Sequence, residues 1–435
     1  MDRVILHSDI NSCYASVERL YKPELEGKPF AVCGSQEMRH GIVLAKDETA
    51  KRAGVKTGMA IWQARQLCPE LEVVEPHFER YTKYSAMVRE IYAEYTDLCE
   101  PFGIDESWLD ITNCLACPDP VKTADEIRRR VREETGLTVS VGVSWNKVLA
   151  KLGSDYKKPD AVTVIDREHF KSMVWGLPAS DMLMVGRSTR RELARMGIQT
   201  IGEIARTDPE LLRARFGKGG IALWRYANGM DDSRVRRAGE EEPPQSVGNS
   251  VTLARNIENE CQARQTMLLL AESVASRLRR QNLRCRTVEV ALRSEQLQWK
   301  THRMRLRYAT DITAELASCG MELLRQSHSF SSPLHSMGLR GLELVHADED
   351  EQMDMLADYV NLNKQRSIDA AVDKIRSKYG SGSIRRACLL GEPTAENIAF
   401  CSLPDGKTNS TALVQPKAVL MVELIYRFRC GIPTR

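Results

Sequence analysis

Among its 435 residues the chain has no apolar run near the roughly 18 residues that a membrane helix needs. The N-terminal run Val4-Ile5-Leu6 is too short for a signal-peptide core, and no small-residue cleavage site follows it. A cytoplasmic protein without a membrane span is expected. A zinc-finger pattern is also missing. Of 12 cysteines only Cys114 and Cys117 form a C-x-x-C pair, with no second pair or His pair at metal spacing. Reduced, mostly structural thiols are expected, and a redox or zinc role would rest on that pair alone. Net charge is nearly absent: 62 Lys and Arg stand against 59 Asp and Glu, a net +3. The total therefore says nothing about a polyanionic partner, whereas local patches can steer one. Acidic stretches at 240–242 and 348–351 alternate with basic ones. There is no repeat of fixed period, and 27 Gly and 17 Pro are too few for a low-complexity chain.

The length leaves room for roughly two to four domains. Up to residue 165, short apolar runs alternate with helical patterns. Val4 to Leu6, Phe30 to Cys33, Ile42 to Leu44, Ile104 to Ile111, Leu137 to Val143 and Val162 to Ile165 read as strands. Tyr84 to Asp97 and Ala124 to Thr135 read as helices. This is an α/β or α+β core. Residues 168–230 look all-helical, with glycine-marked turns. Residues 236–247 (RRAGEEEPPQSV) have linker composition. A second mixed region, 248–345, has helices near Gln265 to Arg280 and Ile312 to Gln326. Strands are expected at Arg286 to Arg293, Lys300 to Tyr308 and Gly338 to Val345. One amphipathic stretch around Ile368 to Tyr379 precedes an irregular tail.

The chemistry is carried by carboxylates. Asp9 stands just past the expected buried strand, where α/β proteins place reactive groups; alone it also reads as a helix N-cap. Gly103-Ile-Asp-Glu-Ser-Trp-Leu-Asp110 puts Asp105 beside Glu106. In a regular strand these would face opposite ways, so a shared site needs a tight turn, which Gly103 permits. The alternative is a solvated hairpin tip. Three converging carboxylates would repel one another unless divalent cations sat between them. Hard Mg²⁺ prefers such ligands, and two ions about 4 Å apart can activate an attacking oxygen and stabilise a leaving one.

Asp9-Ile-Asn-Ser-Cys-Tyr-Ala-Ser-Val-Glu18 together with Gly103 to Asp110 resembles the paired palm motifs of Y-family (translesion) DNA polymerases, in particular the bacterial DNA polymerase IV branch. Further stretches keep that family's order: Val141 to Lys151 followed by Lys157-Lys158-Pro159, and Phe216 to Asp232. The likeness covers roughly residues 1 to 345. It implies an α+β multidomain fold, a right hand with palm (1–11 and 78–166), fingers (12–77), helical thumb (167–235), linker (236–247), a small α+β little finger (248–347) and a tail (348–435). It implies a DNA-directed DNA polymerase, a nucleotidyltransferase of low fidelity and processivity serving damage tolerance. Primer-template DNA and deoxynucleoside triphosphates would be its substrates, and two Mg²⁺ ions its cofactors, with Mn²⁺ as a substitute. No stretch looks like a proofreading exonuclease.

By that resemblance Asp9, Asp105 and Glu106 are the catalytic, metal-binding triad, with the carbonyl of Ile10 as a further ligand. Tyr14 falls at the steric gate, a ring that leaves no room for a 2′-hydroxyl, and Cys13 precedes it in the nucleotide pocket. Lys158 falls where the family places a lysine on the triphosphate. Two departures stand out. The family's Tyr-x-x-Arg in the fingers is Glu48-Thr49-Ala50-Lys51 here, so Lys51 is the expected nucleotide contact and a carboxylate stands beside the triphosphate. In the first thumb hairpin the usual leading glycine is Met184, ahead of Gly186, whereas the second, with Gly217 and Gly219, is intact. Such glycine turns present backbone N–H groups to phosphates. Arg303, Arg305 and Arg307 alternate with apolar residues, so three guanidinium groups share one strand face toward DNA. Gln352, Met355 and Leu356 resemble a degenerate sliding-clamp peptide. A monomer is expected. The competing readings are a catalytically silent DNA-binding scaffold that kept the fold, and a palm-type nucleotide cyclase, which gives the hairpins and the arginine strand no purpose.

Overall fold

A computed structural model describes residues 3–37, 41–115, 117–240, 243–349 and 359–389. Gln352, Met355 and Leu356 lie outside the described residues. The chain divides into two compact units, the break falling after Glu241.

The first unit opens with β1 (Ile5–Ile10) and α1 (Cys13–Tyr21). Next come β2 (Phe30–Cys33), β3 (Val43–Lys46), α2 (Glu48–Arg52), α3 (Ile61–Leu67) and β4 (Glu72–Val74). They form a three-stranded sheet, order β3-β2-β4, with its own small core. After α4 (Phe78–Ala93) come β5 (Cys99–Pro101), β6 (Glu106–Asp110), α5 (Pro120–Thr135), β7 (Val139–Ser144), α6 (Lys147–Tyr156) and β8 (Val162–Val164). These strands and β1 make a five-stranded sheet, order β5-β6-β1-β7-β8. A helical region follows: α7 (Phe170–Val174), α8 (Arg187–Arg195), α9 (Ile201–Arg206), α10 (Pro209–Phe216) and α11 (Lys218–Ala227).

The five-stranded sheet is covered on both faces, so β1 is buried along its whole length. Its period-two alternation sorts the side chains. Leu6 and Ile10 join the core made with α4 and α5, and Ser8 on the same face accepts a 2.7 Å hydrogen bond from Tyr92 of α4. Ile5, His7 and Asp9 face the other way, toward α6. That helix lies very close to β7. A Cβ on Gly142 would sit 1.9 Å from the carbonyl oxygen of Ala150, so only glycine fits there. The start of α6 is fixed by Asn146, whose side chain accepts from the Leu149 amide at 2.9 Å.

The second unit is β9 (Ser246–Ile257), α12 (Glu260–Arg280), β10 (Leu283–Ser294), β11 (Trp299–Thr310), α13 (Thr313–Ser327), β12 (Leu334–His346) and α14 (Tyr359–Tyr379). Its antiparallel sheet has the order β11-β10-β12-β9. Helices α12 and α13 fill one face with a separate apolar core. Two ion-pair clusters tie α14 to it: Arg279 with Asp369 and Asp373, and Glu272 with Arg376 and Arg386.

Several sequence expectations shift. The expected strand at Ile104 to Ile111 is shorter, because residues 103–105 form the turn between β5 and β6. The expected helix from Tyr84 starts at Phe78. The expected linker begins as packed chain and ends as strand. Arg236 N donates to the Glu100 carboxylate at 3.0 Å, Ala238 N donates to the Asp97 carbonyl at 3.0 Å, and β9 starts at Ser246.

Candidate active site

Antiparallel pairing of β1 with β6 sets Asp9 directly opposite Glu106. Partners in register share a face, so both carboxylates point to the α6 side. Asp105 enters from the turn. Gly103 has φ +89°, and Phe102 N donates to the Glu106 carbonyl at 2.8 Å, closing it. The Asp105 carbonyl then accepts from Ile10 N at 2.9 Å, which ties the turn to the end of β1. Asp9 is thus a strand residue, not a helix cap, and Asp105 and Glu106 are no solvated hairpin tip.

Burial raises the Asp9 carboxyl to about 7, although the Lys158 ammonium 2.7 Å away pulls it down. Burial also raises Asp105, helped by the charge of Glu106. Burial acts the same way on Glu106, but contacts from His7 and Lys151 outweigh it and bring the group down to about 2. Lys158 is shared between Asp9 and Asp155, 2.7 Å from each. Its loop is pinned, since Asp160 N donates to the Asn11 side chain at 2.8 Å and the Asp160 carboxylate holds Arg128.

His7 was not among the expected site residues. It is fully buried, and its Nδ1 lies 2.8 Å from Ser154 Oγ. That hydroxyl also reaches the Lys151 carbonyl at 2.8 Å, and the ring tautomer sets which member of the His7–Ser154 pair donates. Nε2 faces the Glu106 carboxylate at 3.3 Å. Burial lowers the His7 pKa, which favours the neutral ring. Only the strand alternation Ile5, His7, Asp9 pointed to its side of the sheet.

Next to the carboxylates lies an aromatic stack. The ring of Tyr14 on α1 is parallel to that of Tyr81 on α4, and Phe78 meets both edge-on. Tyr81 is held by Glu18, a fully buried carboxylate that accepts from Tyr81 Oη at 2.7 Å and from His77 and Arg80 at 2.9 Å. Glu18 lies one turn beyond Tyr14 on α1, and that i,i+4 spacing was the visible signal for it. Cys13 is buried too, and burial with the charges of Asp105 and Asp9 pushes its thiol far up. On α2, Lys51 contacts Glu48 at 3.1 Å, so the unexpected carboxylate carries its own counter-ion.

In the helical region Met184 takes φ +73°, the left-handed conformation that favours glycine. Gly186 caps α8 with ordinary backbone. Gly217 has φ +62° and caps α11, and Gly219 follows in its first turn with open space around it. In the second unit, Arg303, Arg305 and Arg307 project from the exposed side of the edge strand β11, while Met304 and Leu306 pack on the core. Arg303 is partly neutralised by Glu289 at 2.6 Å.

Could the carboxylates hold metal ions? Among the described residues no group of three His, Cys, Asp or Glu side chains is arranged to hold one. Instead the ammonium groups of Lys158 and Lys151 neutralise Asp9 and Glu106. The donor chemistry nevertheless fits: buried, oxygen-only, and carrying more negative charge than the site tolerates without cations.

A solved structure titled Y-family DNA polymerase chimera Dbh-Dpo4(243-245)-Dbh matches with a TM-score of 0.69 at 23% identity, covering 79% of this chain and 99% of that one. The fold is therefore that of the Y-family right hand. Residues 8–155 match the impB/mucB/samB family and residues 244–355 that family's C-terminal domain. The chain is 46% identical to DNA polymerase IV of Acetivibrio thermocellus over 391 residues, covering 90% of this chain and 98% of the relative. It is 37% identical to DNA polymerase IV 1 of Bacillus subtilis, covering 89% and 93%. The chain belongs to the impB/mucB/samB family and, within it, to the DNA polymerase IV type of Y-family DNA-directed DNA polymerase.

Proposed function

We propose that this chain extends a DNA primer along a template, damaged or not, by two-metal phosphoryl transfer, with low fidelity and low processivity. The observation that carries the reading is the strand register that sets Asp9 opposite Glu106, with Asp105 on the adjoining turn. Residues 1–11 and 78–166 serve as palm, 12–77 as fingers, 167–235 as thumb and 248–347 as little finger.

Asp9, Asp105, Glu106 and the Ile10 carbonyl would hold the ions. Two Mg²⁺ ions held there would supply activation of the primer hydroxyl and charge stabilisation of the leaving pyrophosphate. Lys158, freed from Asp9, turns to the triphosphate. Tyr14 lies under the sugar, backed by Tyr81, and excludes a 2′-hydroxyl. Lys51 approaches the triphosphate as a point charge, without the two-pronged contact an arginine would make. The turns at Gly186, Gly217 and Gly219 and the arginines of β11 hold phosphates of the duplex. Gln352, Met355 and Leu356 are proposed as the clamp contact. A cytoplasmic monomer is part of this proposal. Separately, no helix among the described residues is long and apolar enough to cross a membrane.

Primer extension with Mg²⁺ on undamaged and abasic templates tests the reading. Extension on both is expected. Duplex binding without extension on either would leave a binding scaffold that kept the fold.

A further inference from the structure

Lys151 is placed differently from Lys158. Its side chain is 16% exposed, its ammonium contacts Glu106, and it lies 5.3 Å from the ring centre of Phe102. Beside it opens a cavity of about 340 Å³ between α6 and residues 181–186. Lys151, Asp155, Asp181, Met184 and Gly186 are among its walls. Gly186 begins α8, whose first amides have no side-chain cap. The cavity therefore runs from Lys151 to the turn that precedes α8.

With a divalent ion held by Glu106, the carboxylate would no longer need Lys151 as its counter-charge, and the two cations would repel each other. The ammonium must then find another anion. Lys158 has the triphosphate to go to. Asp155, one turn along α6, is already shared with Lys158. Of the anions that a polymerase brings to its carboxylates, the triphosphate is matched by Lys158, which leaves the primer strand for Lys151.

We propose that Lys151 is a positioning residue for the primer, its ammonium leaving Glu106 to hold the last phosphodiester and so set the 3′-hydroxyl at the Asp105–Glu106 turn. This rests on the polymerase reading above. A lysine is a suitable partner for phosphate oxygens. Asp155 and Asp181 on the same walls favour a cation-bearing arm there over a fixed anion site.

The test is single-nucleotide addition by the full-length protein on two primers. One has an ordinary last linkage, the other a neutral methylphosphonate in its place. Lys151→Ala should slow addition about tenfold on the ordinary primer, the worth of one charge-assisted hydrogen bond. Lys151→Arg should recover most of that loss, and the nucleotide concentration for half-maximal rate should not move. The native protein should slow by a similar factor on the neutral linkage, a result that needs no variant to fold. Lys151→Ala and the neutral linkage together should be no slower than either alone. Losses that multiply to about a hundredfold would overturn the proposal and assign Lys151 to Glu106 or Asp155 alone. A native protein indifferent to the neutral linkage would overturn it as well. No extension of the ordinary primer by the native protein would defeat the polymerase reading itself.

Discussion

Tyr14 and Tyr81 lie face to face, their ring centres 4.2 Å apart and their planes within 10°. The two come from different helices, so the proposed sugar gate depends on a neighbour that Glu18 fixes from below. Tyr14→Ala should admit ribonucleotides. Tyr81→Leu should loosen sugar selection in the same direction but less, because the gate ring stays and loses only its support. The ratio of ribonucleotide to deoxynucleotide incorporation measures both. A Tyr81→Leu variant as selective as the native protein would show that Tyr14 needs no backing.

Asp9 gives a pH dependence with a definite sign. Its carboxyl is raised to about 7 in the folded protein against 3.8 for the free group. The folded state therefore holds a proton that the unfolded chain releases between those values. In metal-free protein this group's contribution is most favourable below about pH 4 and declines as pH rises toward 7. Asp9→Asn should therefore stabilise metal-free protein at pH 8, read as a higher unfolding midpoint. Mg²⁺ should raise the midpoint of the native protein and not that of the variant.

Much of this site was legible in the sequence. Gly103 before Asp105 and Glu106 signalled the turn, since only a tight bend lets adjacent residues serve one place. The alternation in β11 was equally readable, because period two survives whatever the strand pairs with. What stayed hidden was tertiary. His7 meets Ser154 only because α6 docks on β7 across Gly142. β5 is a short edge strand ending in Pro101, tolerated there because an edge residue needs no amide partner. β9 begins inside a stretch whose prolines and charges read as linker.

The close approach at Gly142 makes a stability prediction. Gly142→Ala would force α6 off the sheet, at a cost of about 3 kcal/mol or more in unfolding free energy. Extension should fall with it, since α6 carries Lys151. Unchanged thermal unfolding would mean that the helix can shift freely.

Met184 holds a conformation that side chains avoid. Met184→Gly should relieve about 1 kcal/mol of backbone strain and sharpen the first hairpin. Duplex affinity should rise modestly, measured as a dissociation constant at fixed salt. Weaker binding would mean that the exposed Met184 side chain itself contacts DNA.

Glu48 and Lys51 form a closed pair on α2. Glu48→Tyr with Lys51→Arg should lower the nucleotide concentration for half-maximal rate several-fold, because a paired carboxylate is replaced and a two-pronged phosphate contact becomes available. Steady-state kinetics on an undamaged template gives the answer, and no change would place α2 away from the triphosphate.

The most direct test is primer extension by native protein beside the Asp105→Ala, Glu106→Ala double variant, with duplex binding measured on both. The account predicts extension by the native protein alone and equal binding. Extension by the double variant at the native rate would contradict it.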